Sequence, residues 1–208
     1  LRSHQVALGG SSNHISIYDS RKFTEPVSYL CPESLASSTA HVTGLKYDHT
    51  GEMLIGSYND DDVYSFRLEE HAISARRQSP GAARPRAESM ESTDEDSISG
   101  PDSSPGYYHR YSGHRNNNTV KQVVFMGGRS DFVISGSDCG YIFIWDTHTA
   151  EVVQMLKADE RGAINCLAPH PVMPMLATSG LENDAKVWYP TGEHKPISEG
   201  TEKKKILT

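Results

Sequence analysis

Long apolar runs are missing from this sequence. No window approaches the roughly 18 consecutive apolar residues that a membrane-spanning helix needs, and no basic start followed by an apolar core marks a secretory signal. Cysteine is scarce: Cys31, Cys139 and Cys166 stand far apart with no C-x-x-C among them. That spacing excludes a disulfide framework and fits reduced thiols, hence the cytosol or nucleus. Basic residues are outnumbered, with Lys+Arg 20 against Asp+Glu 27 and a net charge of −7, so there is no positive field to grip a phosphate backbone. Direct nucleic-acid binding is not expected. Catalytic signatures are absent as well: there is no G-x-S-x-G elbow, no glycine-rich phosphate loop and no H-E-x-x-H metal pair. His170, between Pro169 and Pro171, has no ligand partner at useful spacing, and Asp60-Asp61-Asp62 lacks the glycine and distal glutamate of a calcium loop. The aspartates read as a turn. Asn117-Asn118-Thr119 fits a glycosylation acceptor but has no secretory context. No catalytic residue, cofactor or metal is expected.

What the sequence does contain is a repeat. Val42, Leu45 and Tyr47 are spaced 0, +3 and +5; Val120, Val123 and Phe125 repeat that spacing, and Ile164 with Leu167 repeats its first step. Each group leads to an aromatic residue at a near-constant distance: Val42 to Phe66 is 24 residues, Val120 to Trp145 is 25, Ile164 to Trp188 is 24. Between the markers lies a run ending in small residues, Leu54-Ile55-Gly56-Ser57, Val133-Ile134-Ser135-Gly136-Ser137 and Leu176-Ala177-Thr178-Ser179-Gly180. Small side chains suit a strand crowded by a neighbouring sheet. A turn and an alternating strand follow, ending on Phe66, Trp145 or Trp188, and a copy cut by the start of the chain runs from Val6 to Tyr18. Short strands rich in β-branched and aromatic residues, separated by Gly/Asn/Asp turns, predict an all-β fold of four-stranded propeller blades.

Trp145-Asp146, with the Gly113-His114 pair that opens its unit, is the signature of the WD repeat, whose period is about 40–45 residues. The resemblance implies a structural hydrogen-bond network through His114, Ser135 and Trp145. The family's turn aspartate is replaced by Cys139, with Asp138 one residue early. Closing a propeller takes roughly 4–8 blades, and this sequence supplies about three and a half. The reading is therefore the C-terminal half of a WD-repeat β-propeller, about three and a half blades of an expected seven. The first residue is Leu1 rather than Met, so an N-terminus further upstream is expected.

The steps between closing aromatics at 18, 66, 145 and 188 place an insertion in the middle unit. Residues 1–68 read as blades, the first partial; 69–110 as a disordered, charged Ser/Pro-rich insertion; 111–189 as two further blades; and 190–208 as a flexible tail ending near Lys203-Lys204-Lys205. Within the insertion, Ser79-Pro80, Ser89, Ser92 and Thr93 resemble phosphorylation sites.

Tyr18-Asp19-Ser20-Arg21, at the end of the first partial blade's third strand, resembles the W-D-x-R box of the WD-repeat substrate receptors of cullin-4 ubiquitin ligases, with tyrosine in place of tryptophan. Longer runs support the resemblance: Gly113 to Lys121, Ser135 to Trp145, and Ser57 to Tyr64 are similar to blades of the family members numbered six and eight, Cys139-Gly140 included. The resemblance implies that Tyr18, Asp19 and Arg21 bind the ligase adaptor, the large subunit of the damage-specific DNA-binding complex, together with cullin-4. It further implies a scaffold that presents a protein substrate while ubiquitin chemistry happens elsewhere, in the nucleus or cytoplasm. The next blade reads Trp145-Asp146-Thr147-His148, with histidine where a second box needs arginine. A WD-repeat scaffold outside the ubiquitin system is the alternative, and an enzyme would need an acid/base cluster that the sequence does not nominate.

Overall fold

In the computed structural model the described residues are 4–68, 106–160 and 162–191, with the backbone of 205–207. They form four antiparallel sheets whose strands follow one another in chain order. The first blade holds β1 (Gln5–Leu8), β2 (Ile15–Asp19) and β3 (Ser28–Leu30). The second holds β4 (Val42–Tyr47), β5 (Met53–Tyr58), β6 (Val63–Arg67) and β7 (His109–Tyr111). The third comprises β8 (Val123–Met126), β9 (Phe132–Gly136), β10 (Tyr141–Asp146) and β11 (Val152–Lys157). The fourth comprises β12 (Ile164–Pro169), β13 (Leu176–Gly180), β14 (Ala185–Trp188) and β15 (Lys205–Leu207). The first strands β4, β8 and β12 pack against one another in succession, as the inner strands of propeller blades do.

The repeat sets the register. Each closing aromatic pairs with the residue twelve positions before it: Val6↔Tyr18, Leu54↔Phe66, Val133↔Trp145 and Leu176↔Trp188. Side chains alternate across a strand, and in β5, β6, β9 and β10 both faces are buried, which is why these strands read as nearly continuous apolar runs. In β10, Ile142 and Ile144 pack toward the fourth blade, whereas Phe143 and Trp145 pack toward the second. Phe66, Trp145 and Trp188 each sit in the cluster shared with the preceding blade. Small residues close the second strands because backbone comes close: a Cβ on Gly136 would run into the Ile164 carbonyl, and one on Gly180 into that of Ala163.

The structure corrects the sequence reading at several positions. Val120 does not occupy the strand position of Val42 and Ile164; it is 67% exposed and β8 begins only at Val123. Asp138 accepts the backbone amides of Asn117 and Asn118 at 2.7 and 2.9 Å and holds the chain in a turn there. The expected disorder of 69–110 does not extend through 106–110. His109 and Arg110 belong to β7, which satisfies the open edge of β6 through Val63↔Tyr111 and Ser65↔His109, and Tyr107 packs on the first core cluster. Within the tail assigned as flexible, Lys205–Leu207 pairs with β14 in the same way. Ser79, Ser89, Ser92 and Thr93 lie outside the described residues.

The first blade is buried on one face only. Ile15 and Ile17 fill its junction with the second blade, while Leu8, Tyr18 and Tyr29 share the other face, Leu8 44% and Tyr29 59% exposed. Cys166, Ala168 and Ala185 are exposed on the fourth blade. Uncovered apolar sheet faces drive association. The 208-residue chain expressed alone is therefore expected to self-associate; a monodisperse monomer in sedimentation velocity, unfolding cooperatively, would contradict this.

Candidate interaction site

A polar network crosses the blade junctions at the centre of the molecule. Lys121 is fully buried and its ammonium is paired with Asp138, whose side chain is 1% exposed. Lys121 Nζ also donates to the Thr119 carbonyl at 2.8 Å and lies 3.4 Å from Asn116 Oδ1. The Asn116 amide nitrogen reaches back to the second blade, to the Tyr58 carbonyl at 2.6 Å and Ser57 Oγ at 3.1 Å. Thr119 Oγ1 reaches forward, donating to Asn165 Oδ1 of the fourth at 2.9 Å. Burial by itself raises the Asp138 pKa, but Lys121 and the amides of Asn118 and Asn117 outweigh it, so the carboxyl titrates below its ordinary value.

This pairing reorganises the expected network of His114, Ser135, Asp138 and Trp145. Trp145 Nε1 donates to the Ser112 carbonyl at 3.0 Å, not to Ser135, whose hydroxyl donates to the Gly136 carbonyl at 3.0 Å. His114 is buried with both ring nitrogens unpartnered, its ring edge-on to Trp145 at 5.4 Å. The cause is local. The turn position that would hold the imidazole is Cys139, whose sulfur lies 3.0 Å from Ser137 Oγ, and Asp138 is committed to Lys121. Burial, aided by the Lys121 charge, pushes the His114 pKa down to about 4. The tryptophan–hydroxyl link is instead made one blade later, where Trp188 Nε1 donates to Thr178 Oγ1 at 2.9 Å. Sequence reasoning missed Lys121. Its signal was a lysine where the neighbouring blades place Thr43 and Asn165.

The Tyr18-Asp19-Ser20-Arg21 box forms a tight turn. Tyr18 and Asp19 end β2, and Asp19 bridges back to Lys22. The Arg21 amide and Nε both donate to Asp19 Oδ1 at 2.9 Å, and Nη2 donates to Oδ2 at 2.6 Å. That fork holds the Asp19 carboxyl well below the usual carboxylate range. With Arg21 66% exposed, the pair adds little to stability. What it does is fix a guanidinium in one orientation, with its remaining N–H donors outward. Tyr18 stacks on Phe23, ring centroids 4.7 Å apart at 15°.

The corresponding turn of the third blade carries no such group. Asp146 Oδ1 accepts the amides of His148 and Thr149 at 2.8 and 2.9 Å, and Thr147 is buried, donating to the Ser130 carbonyl at 2.7 Å. The turns after β2, β6 and β10 are topologically equivalent, so Arg21, His148 and the exit of the chain after Leu68 share one face. The opposite face holds a cleft of about 360 Å³ lined by Asp60–Asp62, Arg110 and Gly113–Asn117. There Asp62 pairs with Arg110 at 2.6 Å and Asp61 accepts the Tyr64 hydroxyl at 2.7 Å.

With this geometry in hand, comparisons with known proteins are specific. The family model described as "WD domain, G-beta repeat" matches residues 106–146 and 150–189. The human protein named "DDB1- and CUL4-associated factor 6" is 52% identical over 86 residues, covering 41% of this chain and 10% of that protein. Human "WD and tetratricopeptide repeats protein 1" is 36% identical over 127 residues, 59% of this chain and 19% of its own length. "Protein ALTERED SEED GERMINATION 2" of Arabidopsis thaliana is 41% identical over 92 residues, 44% of this chain and 12% of its own length. The matched segments thus span between a tenth and a fifth of these relatives.

The network generates two expectations. Lys121→Ala strands a buried carboxylate and is expected to cost about 3–5 kcal/mol, whereas Lys121→Met with Asp138→Asn, which removes both charges and keeps a carbonyl oxygen for the amides of Asn117 and Asn118, recovers part of that loss; denaturant titration of the single and double variants measures it. His114 binds its proton less readily folded than unfolded, so its contribution is intact above pH 6.5 and is lost as pH falls toward 4, by about 3 kcal/mol at that end. Acid titration of melting should show this slope reduced in His114→Phe. His109, also lowered by burial, keeps a remainder.

Proposed function

Because the chain is a WD-repeat β-propeller segment homologous to a DDB1- and CUL4-associated factor, we propose that it belongs to a substrate receptor of a cullin-4 ubiquitin ligase. In this reading one face of the propeller binds the adaptor, the large subunit of the damage-specific DNA-binding complex. Loops elsewhere hold a protein target, and other subunits carry out the ubiquitin chemistry in the nucleus or cytoplasm. The observation that carries the reading is the Arg21 turn. A guanidinium locked by its own aspartate loses little conformational freedom on binding, and it stands out in solvent where its fold-stabilising value is small. Arginine anchors of this kind are enriched at the energetic centres of protein interfaces.

Arg21→Ala in the full-length protein is expected to weaken adaptor binding by about 2 kcal/mol, some thirtyfold, with melting almost unmoved. His148→Ala, at the equivalent turn, should leave binding near wild type. Co-precipitation with the adaptor and thermal melting of both variants decide it: wild-type binding by Arg21→Ala, or loss through unfolding, returns the chain to a scaffold outside the ubiquitin system.

A further inference from the structure

The aromatic pair beside Arg21 lies outside the three core clusters of the described residues. The Asp19↔Lys22 bridge makes residues 18–23 a miniature hairpin, and Tyr18 and Phe23 are its next cross-strand pair, stacked at 4.7 Å with Phe23 51% exposed. The three other closing aromatics, Phe66, Trp145 and Trp188, are at most 8% exposed because each packs against a preceding blade, and no such blade faces Tyr18 among the described residues. Phe23 belongs to none of those clusters. The equivalent turn of the third blade offers no comparable surface: its Thr147 is turned inward and Ala150 takes a left-handed conformation at φ 59°. Among the described residues, the first blade's turn thus places a planar cation and an exposed aromatic ring two residues apart, where the third blade's turn does not.

We propose that Phe23, backed by Tyr18, is the apolar half of the same docking surface and contacts the adaptor directly, an inference that rests on the substrate-receptor reading. The chemistry of the occupant follows from the turn. Arg21 and Lys22 are cationic against a chain of net charge −7, and Asp19 is already committed to Arg21. The partner must then present a carboxylate to the guanidinium and an apolar wall to the ring within one pocket. Aromatic and arginine side chains together are the composition of interface centres, where burial of the ring excludes water from the charged hydrogen bonds and strengthens them.

The test is a binding cycle on the full-length protein, using purified adaptor as the probe, with Phe23→Ala, Phe23→Leu, Arg21→Ala and the Arg21→Ala/Phe23→Ala double variant. Phe23→Ala should weaken binding about tenfold with unchanged melting, Phe23→Leu by less, and the double variant should bind more weakly than Arg21→Ala alone. If Phe23→Ala binds as wild type while Arg21→Ala does not, the inference falls and the receptor reading stands. Equal binding by Arg21→Ala and the double variant would reduce Phe23 to a residue that positions Arg21, also overturning direct contact. A drop in melting temperature for both Phe23 variants would show that a neighbouring blade covers the ring instead. Wild-type binding by every variant would remove the receptor reading itself.

Discussion

An ammonium and a carboxylate share the buried centre of this structure, and the central blade junctions are arranged around them. Desolvating Lys121 and Asp138 costs several kcal/mol per ion, which their mutual attraction offsets only with further hydrogen bonds. Those come from Asn116, Thr119 and the amides of Asn117 and Asn118, all on the crossover between β7 and β8. Because the same crossover bonds Ser57 behind it and Asn165 ahead, one ion pair fixes three blades relative to one another. Its second consequence is the orphaned imidazole of His114. With Asp138 committed to Lys121 and Cys139 in the family's aspartate position, His114 is held by packing against Trp145 and Phe143 rather than by a hydrogen-bond chain.

Outside that junction the blades pack mainly through apolar contact, repeated with one register. A sheet buried on both faces needs apolar residues at consecutive positions, and β5, β9 and β10 have them. The same double burial leaves only the turns free to vary. Among the described residues, much of the chemistry that distinguishes one blade from another sits in turns, in the aspartates at 60–62 and the Arg21 hairpin. A surface anchor placed there can change without disturbing the core, so recognition and stability are separable in this architecture.

The repeat spacing made the blades, their number and their closing aromatics legible in the sequence, because a fixed offset between strand and aromatic is a one-dimensional record of strand pairing. The pairing of Arg21 with Asp19 at a strand end was legible too, through the resemblance of Tyr18-Asp19-Ser20-Arg21 to the W-D-x-R box. What spacing could not show was Lys121, since a lysine in a list of residues carries no mark of burial, and the out-of-step Asp138 reads as a defect until the two are seen to meet. Nor could it show that Val120 leaves the strand or that Phe23 stacks on Tyr18. Both depend on hydrogen bonds and ring contacts between residues whose order along the chain has no period. Nor did it show that 106–110 and 205–207 join sheets, because an outer strand is specified mainly by the open edge awaiting it, a property of its neighbours and not of its own residues. Periodic burial is thus written locally, and the sequence by itself determined the all-β repeat; the pairing of charges, the orphaned histidine and the outer strands were decided only when the blades came together.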